Sequence, residues 1–442
     1  MNAPKNSAFW TGLCFALSIL TARAQSLSTE AVPQRCGTAI YEQLLRQRDP
    51  HRVADQKRLN ELIQGVLRQK AATKSGARVG EVTYRIPVVV HVVHNNAAGT
   101  VGGANNPNIS DEQIISQIQV LNDDYRRREG TRGFNTNPVG ADTGIEFVLA
   151  KLDPSGNTST GITRHYYPQQ STFDIYQDDL LLSQIAYWPS DRYLNLWVAP
   201  LRNDYLGYSQ FPTAPAIPGI SGERNELTDG VIIDYKNFGN ATGTVTNPTY
   251  LYGRTATHEI GHWLGLLHTW GDAYCGEDYC EDTPPTESPN QTTQCTERFS
   301  TCNGVRTRNQ IENYLDYSPD GCMNLFTKNQ AERMRAVLEA SPRRARLIRS
   351  VTVLPQPEQL TVNLSPNPNS KNEKTTLEVL FSGLSTFTVG IFDLLGRQVS
   401  AQQYTDSPSS AIDLPLHTFK NGVYLVKVTK GKETITRRLL IH

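Results

Sequence analysis

The run His258-Glu259-Ile260-Gly261-His262-Trp263-Leu264-Gly265-Leu266-Leu267-His268 constrains this chain more than any other stretch of it. On a helix, His258 and His262 stand four residues apart and share one face, so two imidazoles can hold one cation from the same side. Glu259, beside the first of them, reaches a water on that cation but not the cation itself. Gly265 can take the positive φ that stops a helix, and the chain can then turn back to bring His268 in as a third ligand. Three neutral ligands leave a fourth position for water, which is the plan of a catalytic zinc site and not of a closed structural one. The plain alternative is a buried amphipathic helix with incidental histidines. Three of the nine histidines of the chain fall at fixed offsets in this one segment, with Glu259 and Gly265, which argues against that alternative.

The N-terminus reads as an export signal. Lys5 gives it a positive start, Ala8 to Leu20 is apolar but too short to span a bilayer, and Ala22-Arg23-Ala24 is a small-x-small cleavage site, so the exported form begins at Gln25. A short membrane anchor is the rival, but no stop-transfer pattern follows. Export places the chain in an oxidising compartment. Cys14 leaves with the signal, and Cys275, Cys280, Cys295, Cys302 and Cys322 cluster after the histidine motif, which suggests disulfide staples on the loops there. A second, structural zinc is the rival reading, without paired C-x-x-C knuckles to support it. Forty-three basic and forty-three acidic residues cancel, so no strong field draws nucleic acid or an anionic membrane.

Residues 25–77 are polar and charged with helical spacing of apolar positions, too sparse to bury a core alone, and read as a pro-segment. Arg85 to Val93 then predicts a buried strand. Ser110 and Gln113 resemble a capping box ahead of a helix, and strands are expected at Gly144–Leu152, Tyr193–Val198 and Asp229–Tyr235. This order predicts an α/β (α+β) lobe with a mixed twisted sheet and an active-site helix. Asp272, Glu277, Asp278, Glu281 and Asp282 offer oxygens suited to calcium, or form a solvated acidic loop. One helix is expected over Thr327–Ile348, with Asn329, Gln330, Arg333 and Arg335 outward. A proline-bearing linker follows at 350–360. Alternating stretches at Thr386–Phe392, Gly422–Val428 and Ile435–Ile441 predict a small all-β, Ig-like sandwich over 361–442.

The histidine motif, Ile86-Pro87-Val88-Val89-Val90-His91, Gly207-Tyr208-Ser209-Gln210-Phe211-Pro212, Asp282-Thr283-Pro284 and the block from Asn313 to Met323 together resemble the pappalysin family of the metzincin zinc peptidases. The resemblance implies a protease domain over 78–349, preceded by a signal peptide (1–24) and the pro-segment (25–77). It implies zinc on His258, His262 and His268, with Glu259 as the general base and Tyr317 as a donor to the oxyanion. It places Asp320 at the floor of the pocket for the residue after the cut bond, where a carboxylate favours arginine or lysine. It also implies a latent form in which the thiolate of Cys36, in Arg35-Cys36-Gly37-Thr38, takes the open zinc position. A disulfide from Cys36 to the odd cysteine of the cluster is the other reading. The family pairs Cys295 with Cys322, and Cys302 with either Cys275 or Cys280. One departure stands out: the family methionine under the zinc is Leu315 here, similar in volume and equally apolar.

The tail, with Leu364-Ser365-Pro366-Asn367-Pro368, Phe392 to Arg397, Asn421 to Leu425 and a closing basic-apolar run, resembles the C-terminal sorting domain of the type IX secretion system. That resemblance implies the secretion machinery as a partner and a secreted or cell-surface location. The function expected is zinc-dependent hydrolysis of extracellular proteins, with substrate laid along the strand Asp229–Tyr235 and release of the pro-segment at Ala77-Arg78. Two other classes remain: a binding or adhesion protein on a protease fold, and a glycan-active metalloprotein.

Overall fold

Nine of the eleven residues of Tyr84–His94 (β1) are valine, isoleucine, histidine or tyrosine, and β1 becomes the hub of the main sheet, buried on both faces from Ile86 onward. Such continuous burial is the mark of a strand inside a largely parallel sheet. The computed structural model describes Met1 and residues 35–72, 83–212, 226–350, 359–370, 375–381, 385–407 and 410–442. The expected signal peptide, most of the linker and the expected cut at Ala77-Arg78 lie outside them.

The first half of β1 pairs in parallel with Ile145–Leu149 (β2) and its second half with Ile162–Tyr166 (β3), so the two short strands follow one another along one edge. On the other side come Leu194–Ala199 (β4) and Gly230–Asp234 (β6), both parallel, and then Gly207–Ser209 (β5), antiparallel. β5 is therefore an outer edge of the sheet, as β2 and β3 are on the other side, whereas β6 is paired on both sides. This corrects the expectation that Asp229–Tyr235 receives an extended peptide, because β6 has no free row of backbone groups to offer.

The helix Asp111–Tyr125 starts as its sequence predicts, with the Ser110 hydroxyl accepting from Gln113 N. The Gln113 side chain does not close a capping box. It instead donates to the carbonyls of Tyr235 and Phe238 and ties this helix to the end of β6. The expected single helix at Thr327–Ile348 is two, Lys328–Ala340 and Pro342–Leu347, because Pro342 has no N–H to continue the first. Gln330, Arg333 and Arg335 are buried, not outward. The reason is a set of carbonyls and side chains that need donors: Arg333 Nε donates to Gly265 O (2.8 Å) and Arg335 Nη1 to Thr143 O (3.1 Å).

The N-terminal segment folds against the main α/β lobe as the helices Thr38–Arg48 and His51–Ala72. Leu59 and Ile63 bury against Ala336 and Val337 of the Lys328–Ala340 helix, which supplies the core that the segment lacks by itself. A hairpin of Phe299–Cys302 (β7) and Val305–Arg308 (β8) follows the segment that carries the histidine motif. The C-terminal part is all antiparallel strand, in the orders Ser410–Leu414, Thr375–Leu380, Thr361–Ser365 and Gln398–Ser407, Ser385–Asp393, Gly422–Lys430, Glu433–Ile441. The two sheets enclose a separate apolar core that includes Val362, Leu377, Phe387, Val426 and Leu439, as the alternating sequence predicts. Among the described residues, no helix is long and apolar enough to cross a membrane.

Candidate metal centre

All ten residues of the helix Arg254–Trp263 are buried, and three buried aspartates from elsewhere in the fold hold its ends. At the N-terminus, Asp320 Oδ2 accepts from Tyr252 N (3.0 Å) and Arg254 N (3.1 Å), satisfying donors that the helix leaves open. Asp124 accepts from Arg254 Nη2 (2.9 Å) and Thr257 Oγ1 (2.7 Å). At the C-terminus, Asp229 accepts from Trp263 Nε1 (2.8 Å) and is bracketed by Arg343 and Arg344. The helix then stops as its sequence predicts. Gly265 has φ +87°, its N–H returns to His262 O (2.8 Å) and Leu266 N–H returns to Gly261 O (3.0 Å), a Schellman closure.

That closure brings His258, His262 and His268 together. Nε2 of His262 lies 3.1 Å from Nε2 of His258 and 3.1 Å from Nε2 of His268. The far nitrogen of each ring meets a fixed acceptor: His258 Nδ1 faces Tyr314 O (2.7 Å), His262 Nδ1 faces Leu266 O (2.8 Å), and His268 Nδ1 faces the Asp272 carboxylate. An acceptor there demands the N–H on Nδ1 and leaves three lone pairs on Nε2 converging without a proton between them. Burial, then the neighbouring imidazoles, hold His258 far below its ordinary range and His262 down to about 3, so protonation does not relieve the repulsion. A divalent cation does. The observed spacing is near the edge of a zinc tetrahedron, about 3.3 Å for Zn–N bonds of about 2.0–2.1 Å.

The Cys36 thiol completes the group: one ligand atom from each of Cys36, His258, His262 and His268 lies within 4.8 Å of the others, and all four residues are buried. The chain around Cys36 is positioned by the open sheet edge, with Cys36 bridged in parallel to Gly207 and Gly37 N donating to Gly207 O (3.0 Å). A Cβ on Gly37 would lie 2.2 Å from Ile175 Cδ1, so a larger residue here would require that side chain to move.

Glu259 points beside the group. Burial pushes its carboxyl up to about 7, against the hydrogen bond from Thr38. Thr38 Oγ1 donates to Glu259 Oε2 (2.8 Å) and itself accepts from Ser209 N (3.0 Å). The phenol of Tyr317 donates to Cys36 O (3.4 Å), and its ring stands 5.1 Å from that of His268. Asp320, besides holding the helix, pairs through Oδ1 with Arg35 Nη2 (3.3 Å), both side chains being essentially inaccessible. Arg35 also donates to Ser318 O and to Met323 Sδ. Leu315 lies fully buried under the metal helix, beside Gly261, with its N–H fixed by Asn313 Oδ1 (2.9 Å).

The cysteine expectations need one correction. Cys295 bonds Cys322, and Cys302 bonds Cys275; Cys280 is a buried free thiol and belongs to no disulfide. Cys36 is likewise free, so it makes no bond to the odd cysteine. Sequence reasoning placed Asp272 with the acidic loop, although its i, i+4 spacing from His268 was the available sign of its ring contact. Thr38 carried no such sign.

Residues 179–339 match the peptidase family described as pregnancy-associated plasma protein-A, and residues 363–442 match the secretion system C-terminal sorting domain. The chain is 31% identical over 237 residues to extracellular metalloprotease 1 of Coccidioides posadasii, covering 52% of this chain and 69% of that protein. A mutant of Tannerella forsythia promirolysin is similar in structure, with 38% identity, a TM-score of 0.59, and 73% of this chain and 100% of that one covered. Mature mirolysin of the same organism, solved with a cleaved peptide, shares 41% identity at a TM-score of 0.53 over 62% of this chain and 98% of its own.

Proposed function

The chain belongs to the pregnancy-associated plasma protein-A (pappalysin) family of metallopeptidases, and from that premise we propose a secreted zinc endopeptidase, made latent, that cuts extracellular proteins before arginine or lysine. The observation that carries the reading is the convergence of three unprotonated Nε2 atoms whose Nδ1 atoms are all spoken for. His258, His262 and His268 would hold zinc, which when bound polarises the scissile carbonyl and acidifies water. Glu259 takes the proton of the attacking water and hands it to the leaving amine. Tyr317 donates its phenol proton's hydrogen bond to the oxygen where negative charge develops. The edge strand β5 supplies backbone partners for an extended peptide, as it does for Gly37 here.

The preference for arginine or lysine rests on Asp320. Its buried carboxylate takes the guanidinium of Arg35, so a pocket built for a basic side chain is already filled by one. The N-terminal segment then acts as a pseudosubstrate: Arg35 blocks the pocket, Cys36 the open metal position and Thr38 the base. The segment at 25–77 is removed on maturation, and the sorting domain at 361–442 engages the secretion machinery. Calcium is proposed at the loop after the zinc motif, where Asp282 Oδ1 is buried without a hydrogen-bond partner and the Asp278 carboxyl is pushed up by burial against the hydrogen bond from Thr283.

The test is digestion of a peptide library by the matured protein, alongside Glu259→Ala and elemental analysis. Cleavage before arginine or lysine, lost in the variant with zinc retained, is expected. A correctly folded protein without zinc, or cuts with no basic residue on the carboxyl side, would overturn the corresponding part of the reading.

A further inference from the structure

The N-terminal segment fills a second pocket besides that of Asp320, and nothing in the latency scheme requires it. Tyr41, 1% exposed, enters a cage walled by Ile175, Tyr176, Leu182, Tyr205 and Tyr208, and its phenol donates to the buried carboxylate of Asp179. The ring centroid of Tyr41 lies 4.7 Å from that of Tyr208 and 6.3 Å from that of Tyr176, the latter nearly parallel at 18°. Every wall belongs to the protease lobe. Tyr176 and Tyr205 are joined by their hydroxyls (2.7 Å), Tyr208 is the middle residue of β5, and Asp179 and Leu182 stand on the helix Asp179–Ile185. The walls therefore persist when the segment leaves, and Asp179 loses the Tyr41 hydroxyl.

The order of contacts along the segment places this pocket. Arg35 meets Asp320, Cys36 meets the imidazoles, Gly37 and Thr38 meet β5 at Gly207 and Ser209, and Tyr41 follows. The Asp320 pocket and the aromatic cage thus flank the metal centre. A substrate whose residue after the cut bond fills the Asp320 pocket extends its preceding residues toward the cage.

We propose that this cage is a substrate subsite on the amino-terminal side of the cut bond, selective for an aromatic side chain and for tyrosine above phenylalanine. Offset aromatic neighbours and burial favour any aromatic ring, and the carboxylate adds a charge-assisted hydrogen bond that only the phenol can make. The placement rests on the proposed reading of Asp320.

The test uses the matured full-length enzyme and fluorogenic peptides with arginine after the cut bond. Each residue before that bond is varied in turn among tyrosine, phenylalanine, arginine and alanine. At one position tyrosine should raise kcat/KM about tenfold over alanine, with phenylalanine between them. Asp179→Asn should narrow the tyrosine-to-phenylalanine ratio at that position. Tyr176→Ala, on the half-buried rim, should flatten the whole series at that position. Equal rates for all four residues at every position, a preference for arginine at the cage, or a tyrosine preference untouched by both variants would overturn the subsite and leave the protease reading standing. Loss of the arginine requirement after the bond, with tyrosine still favoured before it, would instead count against Asp320 alone.

Discussion

Thr38 and Glu259 are 221 residues apart in sequence, yet the hydroxyl of one sits 2.8 Å from the carboxylate of the other. The same hydroxyl accepts from Ser209 N, so the threonine bridges the open sheet edge and the base. The proposed latency then has a component separate from the Cys36 thiol. Thr38→Val keeps the branched shape and removes the hydrogen bond. The unprocessed variant should hydrolyse a small peptide several-fold faster than the unprocessed wild type, and Cys36→Ala should exceed it. Identical basal rates in wild type and Thr38→Val would mean that the contact is incidental.

Asp320 does two jobs with its two oxygens, one toward Arg35 and one toward the N–H groups that open the metal helix. Asp320→Asn keeps an oxygen for the helix and removes the charge. The matured variant should lose about 10²-fold in kcat/KM for arginine peptides, the scale of a desolvated charge pair, with little loss for a neutral residue after the cut bond. Its zinc content should stay at the wild-type level. A parallel fall for both peptide types would show that the helix, not the pocket, had been damaged.

Asp272 fixes the ring of His268 through Nδ1. Partners of this kind orient metal ligands, and their loss lowers affinity by about 10–100-fold. Asp272→Ala should therefore lose zinc to a chelator at a lower concentration than wild type, with His268 still in place. Competition titration with a chromophoric chelator measures this; unchanged competition would assign Asp272 to the acidic loop alone.

The zinc motif was legible because its chemistry demands fixed offsets on one helix and one turn. The positive φ of Gly265 and the return of His268 follow from those offsets. The strands β1, β4 and β6 were legible because burial on both faces leaves runs of β-branched residues. What escaped was set by distant partners. Three-residue β5 is too short to show a pattern, yet it is the edge strand beside the metal centre. Arg333 and Arg335 look like surface residues until Gly265 O and Thr143 O require their donors. Cys275 and Cys280 are equivalent in sequence, and only the loop geometry selects Cys275, with its Cα 5.7 Å from that of Cys302.

That choice has a consequence for stability. The Cys275–Cys302 bond closes a sequence separation of 27 residues, a loop size for which a disulfide contributes about 2–4 kcal/mol. Cys302→Ser should lower the melting temperature of the matured protein by several degrees. Cys280→Ser, which alters a buried thiol bonded to nothing, should cost about 1 kcal/mol or less. Thiol titration of the denatured, matured protein should find Cys280 alone. Equal losses from the two variants would mean that Cys280 competes for Cys302.

His91 makes folding sensitive to acid far from the metal. Its Nε2 faces Asn195 Oδ1 (2.9 Å), and that amide is oriented by backbone bonds: its Nδ2 donates to Trp188 O and its Oδ1 accepts from Trp188 N. His91 therefore carries its proton on Nε2, and Nδ1 accepts from Thr163 Oγ1 (2.7 Å). Burial lowers its pKa from the ordinary 6.5 to about 3. The unfolded chain binds a proton below 6.5 that the folded chain refuses until about 3. The stabilisation is thus complete above pH 6.5 and is lost as pH falls through that window, by at most about 1.4 kcal/mol per pH unit. His91→Gln, which keeps a donor and an acceptor but takes up no proton, should show a melting temperature that declines less steeply than wild type between pH 6.5 and pH 4. Parallel declines would place the acid sensitivity in other groups and require a protonated His91 in the sheet.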